Sequence, residues 1–224
     1  MLGPEEWRVV RLSLLVGAAA TAAVLPVAWA LAWALARGRF PGKWLLDGVV
    51  HLPLVVPPVV TGWALLLLFA PAGPLGALGP GVLFRWTGAA LAAGVMALPL
   101  CVRAIRLSLE AVDRRLEEAA RTLGAGRWRV FRTVTLPLAL PGVLAAAVLG
   151  FARALGEFGA TVTFVSSVPG ETETLPLAIY AALQRPGGDA LAWRLAAVSV
   201  ALSLAALVVS EALARRVGRG VNVL

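Results

Sequence analysis

Five stretches of this chain run without a single Asp, Glu, Lys or Arg: Leu12–Ala36, Gly48–Ala70, Trp86–Val102, Thr133–Ala152 and roughly Leu195–Ser210. About 20 predominantly apolar residues suffice to cross the hydrocarbon core of a bilayer as a helix. In lipid, every backbone polar group must be satisfied within the segment, so these stretches are constrained to be helices. With 60% hydrophobic and only 14% charged residues, the chain departs far from a soluble enzyme, and an all-α polytopic membrane protein of five spans is expected. The first stretch is too long for a signal-peptide core and runs into a basic loop, so it is kept as a span. With 23 Gly and 15 Pro, the spans are punctuated rather than uniform. A lone cysteine, Cys101, and a lone histidine, His51, leave no metal site and no Ser-His-Asp triad to be expected.

Charge fixes the expected orientation. Arg37, Arg39 and Lys43 follow the first span, eight arginines between Arg103 and Arg132 follow the third, and Arg215, Arg216 and Arg219 follow the last. The positive-inside rule puts these three regions in the cytoplasm. The loop 71–85 carries only Arg85, and the stretch 156–190 carries Glu157, Glu171, Glu173 and Asp189 against Arg185, so both belong outside. Five spans with the amino terminus outside and the carboxy terminus inside satisfy every connection. Trp7, Trp44, Trp86 and Trp193 fall at span ends, where indoles anchor at the headgroup level.

Two segments resist a simple count. Pro53, Pro57 and Pro58 remove helical N–H donors inside the second span, which must bend or open there, either as a gate or as a merely bent helix. Residues 158–169 are apolar but about two-thirds of a span long; they form a re-entrant or irregular outer segment or, against the charge rule, a sixth crossing. Arg153 and Glu157 flank the outer end of the fourth span at i, i+4 spacing. They are either a mutual ion pair or, with the hydroxyls of Thr161 and Thr163, part of an oxyanion path. Glu157, with Glu211 at a span end, is the acidic residue nearest the membrane segments. His51 reads as an interfacial or packing residue rather than a proton relay.

Between the third and fourth spans, DRRLEEAARTLGAG (113–126) has the signals of a short exposed helix: Asp113 to cap it, Gly124 or Gly126 to end it, and Leu116, Ala119, Ala120 and Leu123 on one face. The gapped pattern Glu118-Ala119-Ala120, Gly124, then Val134-Thr135-Leu136-Pro137 resembles the EAA motif of ATP-binding-cassette importer permeases, with valine where isoleucine is usual. Residues 40–62, 118–142 and 151–176 are similar to the molybdate permease subunits of bacteria, and the resemblance extends from about Trp7 to Arg216. It implies the type I importer permease fold, a single transmembrane permease domain over 1–224 with its core at about 9–214, and a coupling helix at about 113–126. It also implies an ATPase contact made by Glu117, Glu118, Ala119, Ala120, Gly124, Leu136 and Pro137; the path or gate candidates, read from the residues themselves, are Pro57, Pro58, Arg153, Glu157, Thr161 and Thr163.

The chain carries no phosphate-binding loop; its only lysine lies in GRFPGKW (38–44), with the glycine spacing one short and Trp44 in place of a hydroxyl residue. No catalytic residue and no cofactor are expected in this chain, and ATP and Mg are expected on a partner ATPase. The implied partners are a second copy of the chain, a cytoplasmic ATPase and an extracytoplasmic molybdate-binding protein, all at a bacterial inner membrane and without nucleic acid. A sulfate or thiosulfate permease is the near alternative. An intramembrane enzyme lacks a nucleophile and base, and a scaffold without transport leaves the EAA-like pattern without a role.

Overall fold

The computed structural model describes residues 3–221, with side chains as far as residue 206 and at 208. Among the described residues the chain is helical, with no strand: α1 Pro4–Arg37, α2 Lys43–Val55, α3 Pro58–Phe69, α4 Trp86–Ala111, α5 Arg114–Thr122, α6 Arg127–Leu155, α7 Gly159–Val165, α8 Leu175–Leu183 and α9 Asp189–Val221. Two short single turns lie between α3 and α4. Among the described residues, four helical stretches (α1, α4, α6 and Asp189–Ala206 of α9) are apolar and long enough to cross a membrane; α2 with α3 make a fifth if counted as one.

Helices α1, α4 and α6 form the centre of the molecule. Towards the arginine-rich end, Ala28, Ala32 and Leu35 of α1 pack on Cys101, Val102 and Ile105 of α4 and on Ala139 and Ala146 of α6. Small residues let these backbones approach, as packing inside lipid requires. The closest approach is at Gly142, where a Cβ would lie 2.2 Å from that of Ser108 and 2.8 Å from the carbonyl oxygen of Ala104. Hydroxyl and thiol cross-links follow the same seam: Ser108 donates to the Ala139 carbonyl at 3.2 Å, and Cys101 to that of Ala146 at 3.3 Å. At the other end, Val16 and Ala20 of α1, residues 89–96 of α4 and Ala154 of α6 enclose Leu65 and Phe69 of α3 and Phe164 of α7.

The second apolar stretch is more severely broken than a bent span. Helices α2 and α3 meet at 114°. Val56 and Pro57 each precede a proline, which disfavours the helical region; both are extended, with ψ 136°, and Pro58 starts α3 at a position where its missing N–H costs nothing. Pro53 sits inside α2 without ending it. The paired prolines, not the first one, open the chain.

The segment after α6 does not cross. Helix α7 has seven residues, about 10 Å at 1.5 Å each, and its Ala160, Phe164 and Val165 are buried against α3 and α4. It ends at Ser166, whose φ of +57° is rare for a residue with a side chain. Thr172, fully buried, holds the returning loop by accepting from the Val168 N–H and donating to the Ser166 carbonyl, both at 2.8 Å. The first residue of α8, Leu175, donates its N–H to the Ser13 hydroxyl of α1 at 2.7 Å, and Arg194 of α9 lies 3.0 Å from the buried Glu6. Trp7, Trp44 and Trp193 are more than half exposed, as headgroup anchors would be.

Candidate coupling surface and translocation path

Helix α5 is built by its two ends. The Asp113 carboxylate accepts from the Arg115 N–H at 2.9 Å. At the other end, Gly124 takes φ +84°, its N–H bonds the Arg121 carbonyl, and the Ala125 N–H bonds that of Ala120. This paired closure requires a left-handed residue, which glycine supplies without a Cβ penalty. Gly126 does not end α5 but precedes α6 in an extended conformation. The surface so presented is outward: Glu118 and Ala119 are exposed, Leu116 is 51% and Leu123 89% exposed, and Ala120 is half-buried. A short helix with uncovered leucines beside small alanines is shaped to enter a groove.

Glu117 has the opposite environment. Its carboxylate accepts from the Arg37 guanidinium at the end of α1 (3.1 Å) and from the Thr135 hydroxyl (2.8 Å), with both charged side chains only 13% exposed. Phe131–Thr135 forms a wider π-turn within α6, and Thr135 is 1% exposed. Pro137 lies two residues on; a proline ring clashes with the carbonyl four residues back, and an expanded turn relieves that crowding. Leu136 is half-buried and Pro137 exposed just beyond. A cavity of about 320 Å³ opens beside Glu117, lined also by Glu118, Arg37, Arg114, Arg121 and Arg127.

Of the path candidates, Pro58 and Thr163 meet at the crossing of α3 and α7. A Cβ on Gly62 would lie 2.4 Å from the Ala160 carbonyl oxygen, and one on Gly159 2.8 Å from the Pro58 Cβ, so the two helices touch through small residues and the proline break. The Thr163 hydroxyl donates to the Gly159 carbonyl of its own helix at 2.9 Å and lies 3.3 Å from that of Val59. Thr161 is 2% exposed and faces the core. Arg153 pairs with Glu157 at 2.5 Å, and the other Glu157 oxygen accepts the Ala160 N–H at 2.8 Å. Arg153 is thus compensated in charge, and Glu157 fastens the end of α6 to the start of α7.

One ionic cluster escapes inspection of the sequence. Asp47 of α2 meets Arg106 of α4 at 3.1 Å, Arg106 reaches Glu110 at 2.8 Å, and His51 lies 3.2 Å from Asp47. Asp47, not only Glu157, is therefore an acidic residue beside the membrane segments. The i, i+4 spacings Asp47–His51 and Arg106–Glu110 are readable; the contact across 59 residues is not. The side chains of Glu211, Arg215, Arg216 and Arg219 lie outside the described residues.

Residues 24–219 match the family described as "binding-protein-dependent transport system inner membrane component". The chain belongs to that family. As a family member it is a multi-pass inner-membrane component of a transport system. It is 56% identical over 220 residues to the molybdenum transport system permease protein ModB of Escherichia coli K12, covering 96% of both chains. To the sulfate transport system permease protein CysW of Synechococcus elongatus it is 39% identical over 214 residues, 94% of this chain and 74% of the relative. Among solved structures, a bacterial ABC transporter that imports alginate superposes with a TM-score of 0.77 at 15% identity, covering 96% of this chain and 80% of that one; at such identity the likeness establishes the type I importer permease fold alone.

Proposed function

We propose that this chain is the membrane-spanning permease subunit, a single domain, of an ATP-binding-cassette importer that carries molybdate or tungstate inwards. The observation that carries the reading is the 56% identity across nearly the whole chain to a relative named for molybdenum transport, against 39% to one named for sulfate. ATP and Mg belong on a cytoplasmic ATPase, the anion arrives on an extracytoplasmic binding protein, and two copies of the chain enclose the path. The amino terminus lies outside and the carboxy terminus in the cytoplasm.

The geometry supplies a mechanical route for this function. The exposed face of α5, with Glu118, Ala119 and Leu123, enters a groove of the ATPase. Glu117 ties α5 to the end of α1 and, through Thr135, to the start of α6. Helix α6 is continuous to Leu155, and Glu157 just beyond it caps α7. Displacement of α5 therefore moves α6, and α6 moves α7 against the broken α2–α3 pair. With Arg153 compensated, the path offers the anion no deep well, and selection rests with the binding protein.

The test is ATP hydrolysis by the reconstituted complex. Molybdate-loaded binding protein should stimulate it and sulfate-loaded protein should not; the reverse result transfers the chain to the sulfate reading.

A further inference from the structure

The cavity beside Glu117 carries more positive charge than the coupling role uses. Arg37 is paired with Glu117, but Arg114, Arg121 and Arg127, which also line the cavity, make no ion pair among the described residues. The Arg37 Nε is buried and lacks any hydrogen-bond partner. Three unpaired guanidiniums and a buried unused donor around a concave site of about 320 Å³ call for an anion.

A second feature selects the anion. The aromatic wall of the cavity, Trp33 and Phe131, is shared with a groove of about 350 Å³ lined further by Trp29, Ala30 and Trp128. The rings form a continuous edge: Trp29 to Trp33 centroids are 6.3 Å apart, Trp33 to Phe131 5.7 Å and Trp128 to Phe131 5.3 Å. Trp29 precedes Arg37 by eight residues of one helix, so the groove descends about 12 Å from the arginines towards the bilayer centre. A soluble protein cannot follow the groove to that depth, and a free oxyanion has no use for it. A molecule with an anionic head and an apolar tail fits both parts.

We infer that this site binds an anionic diacyl phospholipid of the leaflet on the arginine-rich side. Its phosphate sits among Arg37, Arg114, Arg121 and Arg127, and its upper acyl chain lies along Trp29 and Trp33. Basic pockets between helices at the cytoplasmic surface suit such headgroups. The lipid would thereby rest against the Glu117 tether, where bilayer composition bears directly on the coupling helix.

The experiment titrates the delipidated full chain in neutral detergent, followed by native mass spectrometry, with phosphatidylglycerol or phosphatidylcholine. Phosphatidylglycerol should be retained about tenfold more tightly. R114Q/R127Q should abolish the preference, while R115Q/R129Q, which removes the same charge from exposed arginines outside the cavity, should keep it. W29A should weaken lipid retention by either headgroup. Equal retention of the two lipids, or equal loss in both double variants, would overturn the proposal by reducing it to diffuse charge. Displacement of the lipid by equimolar inorganic phosphate with no effect of W29A would make it an oxyanion site instead. If R114Q/R127Q keeps the lipid preference but releases the cognate ATPase or the second copy, the cavity is a protein contact and the inference fails. None of these readouts depends on which anion the complex transports.

Discussion

Glu117 and Glu118 are the same letter twice, yet they do different things. Replacing Glu117 by Ala leaves the Arg37 guanidinium without its carboxylate and the Thr135 hydroxyl without its acceptor, at a cost of about 2 kcal/mol, since hydrogen bonds to charged groups are the stronger kind. Glu117→Gln keeps one acceptor and should cost about half as much. Glu118→Ala removes an exposed side chain with no ion pair among the described residues, so its stability should stay within about 0.5 kcal/mol of the parent. Thermal unfolding in one detergent compares all three. If Glu118→Ala retains stability yet loses ATP-coupled uptake, the coupling assignment stands; uptake at the parent rate removes it. Gly124→Ala belongs beside them: open space surrounds its Cβ position, so the expected penalty of about 1 kcal/mol comes from the left-handed backbone alone. The glutamate pair and the glycine are recognisable in the sequence by spacing. That Glu117 turns inward is not, because Arg37 stands 80 residues away and nothing local announces it.

At the scale of elements, the crossing of α4 and α6 is held by close contact of small residues. Gly142→Leu forces a side chain against Ser108 and the Ala104 carbonyl, and neither backbone can yield cheaply. Overpacking of this kind costs about 3 kcal/mol, so the folded yield after detergent extraction should fall severalfold. Gly126→Ala, exposed and with nothing within 4 Å, should leave the yield unchanged; a similar loss there would point to glycine flexibility instead of close packing. The long helices were legible in the sequence because charge-free length is a one-dimensional property, and the break in the second stretch because consecutive prolines act locally. Its 114° angle was not legible: it is set where Gly62 and Pro58 receive Ala160 and Gly159, about a hundred residues later. Hydropathy therefore marks where the irregular pair lies but not how far it departs from a straight crossing.

For the whole molecule, the structure fixes which ends share a side, and the proposed orientation predicts which side that is. Glu5 and Arg8 at the start of α1 face Pro169, Gly170 and Glu173 across a small cavity of about 100 Å³, so the amino-terminal end and the loop after α7 lie together. Arg37, at the far end of the same helix, meets Glu117 next to the coupling helix. Helix α1 has 34 residues, about 51 Å at 1.5 Å each, which exceeds a hydrocarbon core of about 30 Å, so the two groups stand on opposite faces. The orientation proposed above, with the arginine-rich end inside, predicts Leu123 in the cytoplasm and Pro169 outside. Single cysteines at Glu5, Pro169 and Leu123 can report this against a quiet background, because Cys101 is completely buried. A membrane-impermeant maleimide applied to spheroplasts should label E5C and P169C at once and L123C only after the membrane is opened. Labelling of L123C in closed cells would invert the molecule, and with it the assignment of α5 to an ATPase. Labelling of E5C and P169C from opposite sides would contradict the fold itself.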